Sequence, residues 1–255
     1  MDFDLYRAFR SPFASKTVRS AWSKSYGDQF WEASEPPLSQ VTIDDIEFVV
    51  QRLNPGAGTK IADLGCGIGC VGRYLAEEFG ADVDGIDVNP LAIRMAEELA
   101  VTVGSANRPR FKTGDLCKTG WTDRTFDNAV SVDVLLFVAD KRAALQEVAR
   151  ILKPGGRFAG MSWELRADSA ALRAPAFDDY RSAFEAAGFQ IEVYEETRNW
   201  RRLLTDALGA LVASEDAIRR EVEAPAAERL LAWARTRPAE LEHSRRIYFS
   251  VQRHL

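Results

Sequence analysis

Histidine and cysteine are scarce in this sequence. Its 255 residues include two histidines and three cysteines. An odd number of cysteines, with Cys66 and Cys70 inside one glycine-rich turn, argues against a disulfide framework and indicates a reducing compartment, which we take to be the cytoplasm. No histidine or further cysteine lies near these two in the sequence to complete a zinc site, so we predict no metal.

The sequence also lacks a long apolar run and any concentration of positive charge. No run approaches the roughly 20 residues that span a bilayer. The start MDFDLYRAFR carries acids and no apolar core segment, and is therefore unlike a secretory signal. The formal net charge is −5, and lysine and arginine are interleaved with acids. We therefore expect neither a membrane nor a nucleic acid as partner.

The sequence does contain an alternation of short apolar runs and amphipathic stretches, which is typical of an α/β protein. Strands are predicted at 61–64, 83–87, 110–113, 128–132, 157–161, 189–195 and 246–253. Helices are predicted at 43–53, 70–79, 90–103, 141–152, near 177–187, and as two stretches within 200–237. This order predicts a doubly wound, Rossmann-like, mostly parallel seven-stranded sheet with helices on both faces.

Pattern and composition divide the chain into four segments. Residues 1–56 are predicted to form an N-terminal helical arm, and 57–198 the Rossmann-like core. Residues 199–245 are predicted as a helical lid inserted before the last strand, which is 246–255. Pro225 separates the two late helical stretches, so we expect a hairpin there. Arm and insertion are both expected to close over the site, as lids commonly do.

The glycine-rich turn IADLGCGIGCVG, at 61–72, fits two cofactor patterns at once. Gly67, Gly69 and Gly72 match GxGxxG, which is typical of dinucleotide binding. Asp63, Gly65, Gly67 and Gly69 match DxGxGxG, which suggests S-adenosylmethionine (SAM). Because the two patterns share residues, spacing alone does not separate NAD(P) from SAM.

The charge of Asp63 distinguishes SAM from NAD(P). Asp87, at the end of the next predicted strand, would accept hydrogen bonds from two ribose hydroxyls of either cofactor. A dinucleotide puts its pyrophosphate over the turn, where an ionised Asp63 would repel it by on the order of a few kcal/mol. SAM brings an ammonium and a sulfonium, which the same carboxylate attracts. We therefore favour SAM, the alternative role of Asp63 being to cap the following helix.

Four stretches between about 58 and 164 resemble the class I SAM-dependent methyltransferases. They are IADLGCGIG, GIDVNP, FKTGDL and DNAVSVDVLLFV followed by LKPGGRFAGMSWE. The likeness is to the small-molecule branch related to quinone-biosynthesis and bacterial natural-product enzymes. It implies SAM as cofactor, S-adenosylhomocysteine (SAH) as product, and a SAM-binding core at 57–198.

The resemblance also implies roles for individual residues. The ribose would bind Asp87, and adenine would bind the Asp115 carboxylate and the Leu116 amide, between the side chains of Val88 and Leu116. Asp133 would orient the methionine end of SAM or the acceptor. The full set of cofactor-binding residues implied is Asp63, Gly65, Cys66, Gly67, Gly69, Asp87, Val88, Asp115, Leu116 and Asp133.

Three residues are candidates for catalysis. Glu164 follows the fifth predicted strand beside Trp163, whose apolar ring would raise the pKa of that carboxyl toward the strength of a general base; the alternative is an ion pair with Arg166. His243 precedes the last strand and would either face the pocket or cap a helix. Tyr26 lies where the family commonly has a tyrosine that closes over SAM.

The predicted function is methyl transfer from SAM to the oxygen, nitrogen or carbon of a small, partly apolar molecule. The pattern that nucleobase amino-methyltransferases carry after the fourth strand is missing, and Trp163-Glu164 replaces the Asp-Asn pair of metal-dependent catechol enzymes. Two alternatives stay open. One is a SAM-fold protein that binds the cofactor without transfer, such as a cyclase or a regulatory binder. The other, disfavoured by charge, is an NAD(P)-dependent oxidoreductase.

Overall fold

A seven-stranded sheet forms the centre of the molecule. The computed structural model describes residues 15–31, 41–101, 108–165 and 179–254. The strands are β1 (Lys60–Leu64), β2 (Asp82–Asp87), β3 (Arg110–Thr113), β4 (Phe126–Val132), β5 (Leu152–Leu165), β6 (Phe189–Glu196) and β7 (Ser244–Arg253). Their spatial order is β3-β2-β1-β4-β5-β7-β6, and β7 runs in the opposite direction to the other six strands. The predicted fold class is confirmed.

The fifth strand is longer than predicted. The sequence predicts residues 157–161, whereas β5 continues to Leu165 because it pairs with β7 from Arg157↔Gln252 to Leu165↔Ser244. Backbone N–H and C=O groups of residues 162–165 form hydrogen bonds with β7, a strand near the other end of the chain, which the local sequence pattern does not reveal. Glu164 therefore lies inside β5, and the prediction that it follows the strand is wrong.

Nine helices are present in the described part of the chain. They are α1 (Lys16–Tyr26), α2 (Ile43–Leu53), α3 (Cys70–Phe79), α4 (Pro90–Ala100), α5 (Lys141–Ile151), α6 (Arg181–Ala186), α7 (Trp200–Ala213), α8 (Glu215–Glu221) and α9 (Ala224–Glu240). Short 3₁₀ turns cover Gly27–Gln29, Leu135–Phe137 and Leu241–His243. The start of α2 is fixed by a capping box, in which Thr42 Oγ1 accepts from the Asp45 amide and the Asp45 carboxylate accepts from the Thr42 amide.

The late helices differ from the predicted hairpin. Three helices, not two, lie between residues 200 and 240, and Pro225 falls in the first turn of α9 instead of between helices. A proline is tolerated there because its missing N–H would have no partner inside the helix. The break lies earlier, at Val222 and Glu223, where the backbone is extended or irregular.

Helix α1 packs against the late helices. Glu221 of α8 accepts hydrogen bonds from the Ser15 hydroxyl at 2.7 Å and from the Thr17 amide at 3.0 Å. One buried apolar cluster joins α1 and α7–α9 to residues after β4 and at the end of β5, and it includes Val18, Trp22, Tyr26, Leu136, Trp163, Leu165, Leu204, Leu208 and Leu231. We call it the lid cluster. Helix α1 of the first predicted lid segment thus meets α7–α9 of the second above the carboxyl ends of β4 and β5. Helix α2, in the same first segment, packs instead against the sheet, with Ile46 and Val49 beside Met161.

Candidate cofactor and active site

The glycine turn between β1 and α3 has a conformation that needs glycine. Gly65, Gly67 and Gly69 have φ values of 75°, 55° and 77°. A Cβ on Gly65 would lie 2.4 Å from the Val134 methyls, and one on Gly69 would lie 2.4 Å from the Phe111 ring. A Cβ on Gly67 would meet nothing within 4 Å. The two ends of the turn are therefore packed, while its middle faces open space.

Asp87 is fixed at the end of β2 beside this open middle. Its Oδ2 accepts a hydrogen bond from the Gly67 amide at 3.0 Å, and its Oδ1 accepts one from the Asn89 amide at 2.8 Å. Burial raises the pKa of this carboxyl, although both amides oppose the rise. Each oxygen retains acceptor capacity, so the carboxylate can take hydroxyl donors of a ligand over Gly67.

Asp63 is buried below the turn, with 3 % of its surface exposed. Its Oδ2 accepts from the Gly72 amide in the first turn of α3 at 3.0 Å, and a Cβ on Gly72 would lie 2.9 Å from that oxygen. The capping role is therefore present. Burial raises the pKa of Asp63 to about 7. A nearby cation would favour the ionised form and a phosphate would oppose it.

Cys66 takes part in the turn through its backbone. Its amide donates to the Ile86 carbonyl at 3.0 Å, while its side chain packs against the cluster of Phe111 and Ile93. Burial raises the pKa of the thiol well above its usual value. The thiol is therefore protonated near neutral pH.

The predicted adenine-binding residues follow β2 and β3. Asp115 is exposed, and its Oδ1 accepts from the Cys117 amide at 2.8 Å, which closes a turn. Leu116 is 4 % exposed and belongs to the core, whereas Val88 is half-buried. The structure thus gives Val88 more surface for a ligand than Leu116.

A buried network of charges lies beside the turn, and Asp133 is its one member that the sequence predicted as a site residue. Arg246 Nη1 donates to both carboxylate oxygens of Asp45, at 3.0 and 2.9 Å. Its Nε and Nη2 donate to Asp133 at 3.2 and 3.1 Å. The Tyr248 hydroxyl donates to Asp45 at 2.7 Å. These four residues, Asp45, Asp133, Arg246 and Tyr248, form what we call the Arg246 network.

Asp133 is the member of this network closest to the glycine turn. It directly follows β4 with a φ of 54°, and its amide donates to the Met161 carbonyl at 3.0 Å. The next residue, Val134, is the one that packs against Gly65. Burial raises the pKa of Asp133, while Arg246 and a hydrogen bond from Trp163 oppose the rise. Asp133 therefore connects the network to the turn.

Tyr26 ends α1 inside the lid cluster. Its ring centroid lies 5.3 Å from that of Trp22. Burial raises the pKa of its hydroxyl, and the charges of Arg246, Asp45 and Asp133 also act on it. The structure thus brings Tyr26 within electrostatic range of the Arg246 network.

Glu164 has a different environment from the one predicted. Trp163 and Glu164 are consecutive residues of a strand and point to opposite faces, so the prediction that the Trp163 ring shields this carboxyl is wrong. The Tyr194 hydroxyl donates to its Oε1, and Arg245 Nη1 donates to its Oε2 at 3.1 Å. Burial raises the pKa of Glu164. The alternative partner, Arg166, lies outside the described residues.

His243 ends the last 3₁₀ turn and is half-buried. The next residue, Ser244, pairs with Leu165 at the end of β5, so His243 lies at the edge where β5 ends. Within residues 15–31, 41–101, 108–165 and 179–254, there is no group of three or more His, Cys, Asp or Glu side chains that could hold a metal ion. Over the same ranges, no helix is both long and apolar enough to cross a membrane.

Comparison with protein families gives one domain. Residues 62–160 match the family described as "Methyltransferase domain". That segment contains the glycine turn, Asp87, Asp115 and Asp133.

Two curated relatives illustrate the sequence similarity. "Methyltransferase GfsG" of Streptomyces halstedii is 28 % identical over 148 residues, which are 57 % of this chain and 53 % of the relative. "Tocopherol O-methyltransferase, chloroplastic" of Arabidopsis thaliana is 30 % identical over 158 residues, covering 56 % of this chain and 45 % of the relative. The chain thus spans about half the length of these curated relatives.

Two solved structures share the fold over almost the whole chain. The [4+2]-cyclase SpnF superposes with a TM-score of 0.73 at 21 % identity, covering 94 % of this chain and 93 % of that one. A phosphoethanolamine N-methyltransferase 2 of Haemonchus contortus, in complex with S-adenosyl-L-methionine, gives 0.74 at 18 % identity, covering 92 % and 56 %. At such identities the likeness concerns the fold alone.

Proposed function

Because residues 62–160 belong to the methyltransferase-domain family, we propose that this chain binds SAM and transfers its methyl group to a small molecule. The observation that carries the proposal is the open middle of the glycine turn, where the Gly67 amide and the Asp87 carboxylate are joined at 3.0 Å. In the proposed binding mode the ribose hydroxyls of SAM lie on Asp87, and its amino-acid part lies along the backbone at Gly65 and Gly69.

The acidic side chains around the turn suit a cationic ligand. Asp63, Asp87 and Asp133 all have pKa values raised by burial. A positive ligand favours their ionised forms, whereas a pyrophosphate would add negative charge to the same place. This supports SAM over a dinucleotide. Asp115, Leu116 and Val88 complete the proposed site on the adenine side.

The acceptor site is proposed under the lid cluster. Trp22, Tyr26, Leu136 and Trp163 are buried there, above the ends of β4 and β5. Apolar surface with few polar groups is what a small organic ligand needs. SAM supplies an activated methyl on a sulfonium, so this chain has to orient the acceptor and exclude water. We therefore propose a small, partly apolar acceptor and no nucleic acid, and the net charge of −5 agrees with that.

A general base is needed only if the atom that receives the methyl group carries a proton that it must lose. His243 lies at the edge where β5 ends, and Tyr26 lies beside the Arg246 network. We propose His243 as the base and Tyr26 as the residue that closes over the reacting atoms. Glu164 serves as a base only when its hydrogen bonds from Tyr194 and Arg245 open.

The domain boundaries and the compartment belong to the same proposal. The proposed lid segments are 1–56 and 199–245, and the proposed SAM-binding core is 57–198 with 246–255. The contacts of Glu221 with Ser15 and Thr17 support a joint lid of α1 and the late helices, whereas α2 packs on the sheet of the core. The three cysteines, all within described ranges, are thiols, which supports the cytoplasm.

A second candidate function is a reaction without methyl transfer, since the same fold, shared over 94 % of the chain, also occurs in the [4+2]-cyclase SpnF. Incubation with SAM labelled in the methyl group, against a panel of phenols, amines and terpenoids, separates the two. The proposal expects label in an organic product and stoichiometric SAH, with the Asp87→Ala variant as control. SAM binding with no labelled product from any acceptor would favour the second candidate.

A further inference from the structure

We propose that the Arg246 network leaves one net negative charge beside the methyl-donor site, and that this charge makes the site favour a sulfonium over the neutral thioether that remains after transfer. Asp45, on a helix before the core, is thereby a residue that determines ligand specificity. The inference rests on the proposed binding of SAM.

The charge follows from the hydrogen bonds. All four carboxylate oxygens of Asp45 and Asp133 accept N–H donors of the single guanidinium of Arg246. Asp45 also accepts from the Tyr248 hydroxyl and the Thr42 amide. Oxygens that only accept are those of ionised carboxylates. Two carboxylates and one guanidinium leave a net charge of −1.

Burial makes this charge effective. Asp45 is 1 % exposed and Arg246 is 2 % exposed, so little water screens them. The guanidinium of Arg237, which lies over the Trp163 ring, is paired with Glu240 at 2.8 Å. The charge of Arg237 is therefore balanced by Glu240, and it does not neutralise the excess negative charge of the Arg246 network.

The location of the charge suits the donor sulfur. Asp133 directly follows β4, the strand next to β1, and the adjacent Val134 packs on Gly65 at the start of the turn. In the proposed binding mode the amino-acid part of SAM lies along this end of the turn. SAM carries a net charge of +1 and SAH a net charge of zero. Both have the same ammonium and carboxylate, so the additional attraction of the network for SAM acts on its sulfonium.

Asp45→Asn tests the inference because it removes one charge and keeps the shape. Asp44→Asn is the matched control, since Asp44 lies in the same first turn of α2 but is exposed. Calorimetry at pH 8 measures three ligands on each protein: SAM, its cationic non-transferring analogue sinefungin, and SAH. We expect Asp45→Asn to weaken SAM and sinefungin by about tenfold and SAH by less than twofold. Asp44→Asn should leave all three within twofold.

Equal weakening of all three ligands by Asp45→Asn, or no weakening of any, would overturn the inference. Should Asp45→Asn fail to fold, Asp133→Asn removes a charge from the same network, and the same selective loss is expected of it. If the unmodified protein binds neither SAM nor SAH, the proposed function itself fails, which is a different result from a lost preference.

Discussion

Replacing Asp63 by asparagine should stabilise the ligand-free protein while weakening its binding of SAM. Burial raises the pKa of Asp63 from 3.8 to about 7. The unfolded chain therefore loses this proton near pH 4, whereas the folded chain keeps it until about pH 7. Between these values the unfolded state binds fewer protons, so the free energy of unfolding falls as the pH rises. A shift of this size corresponds to about 4 kcal/mol above pH 7.

Asparagine removes that cost and retains an oxygen for the Gly72 amide, which now donates to Asp63 at 3.0 Å. Urea unfolding of the parent and of Asp63→Asn should give equal stabilities near pH 4 and a gain of up to about 4 kcal/mol for the variant at pH 8. Calorimetry should show weaker SAM binding by the variant. The exposed Glu77→Gln, on α3, is the control. A difference in stability that does not change with pH would refute the reasoning.

Three further predictions concern the ligand, the lid and Glu164. Asp87→Ala should weaken SAM by about 1.5–3 kcal/mol, because charge-assisted hydrogen bonds to two hydroxyls are lost, and unchanged affinity in calorimetry would contradict this. In hydrogen exchange, α1 and α7–α9 should gain protection when cofactor and acceptor are both added; no gain in either segment speaks against the lid. Glu164→Gln should leave turnover within about threefold and lower stability by about 1–3 kcal/mol, since its carboxylate holds Tyr194 and Arg245. A fall in turnover of about 10²–10⁴-fold would instead restore Glu164 as the base.

Local signals predicted several elements to the residue. Helix α2 begins after the Thr42 cap and ends at Leu53, before Asn54, which has a left-handed backbone and precedes Pro55. Helix α3 lies between Gly69 and Gly80. The residues that begin and end these helices are next to the helices in the sequence, so the sequence alone predicts the helix boundaries. The length of β5 was missed because it depends on pairing with β7, far along the chain.

The site residues also fall into two groups, those that a local sequence pattern predicts and those that contacts between distant parts of the chain bring together. Asp63, the glycines and Asp87 lie within one strand-turn-helix-strand unit, which the sequence predicts as a nucleoside site. The Arg246 network joins residues 113 and 201 positions apart, which no local pattern connects. The sequence shows two of its members separately: Asp133, after the fourth predicted strand, and an arginine at the start of the apolar strand RIYFSV, at 246–251. The environment of Glu164 was misjudged for a related reason: once β5 extends to Leu165, the alternation of a strand separates it from Trp163.

The central claim is that the glycine turn and Asp87 hold SAM and not a dinucleotide. Isothermal calorimetry of the purified chain against SAM, SAH and NAD, each in the same buffer, tests it most directly. We predict saturable binding of SAM and SAH with one site per chain and no heat from NAD. Tight binding of NAD with no binding of SAM would contradict it.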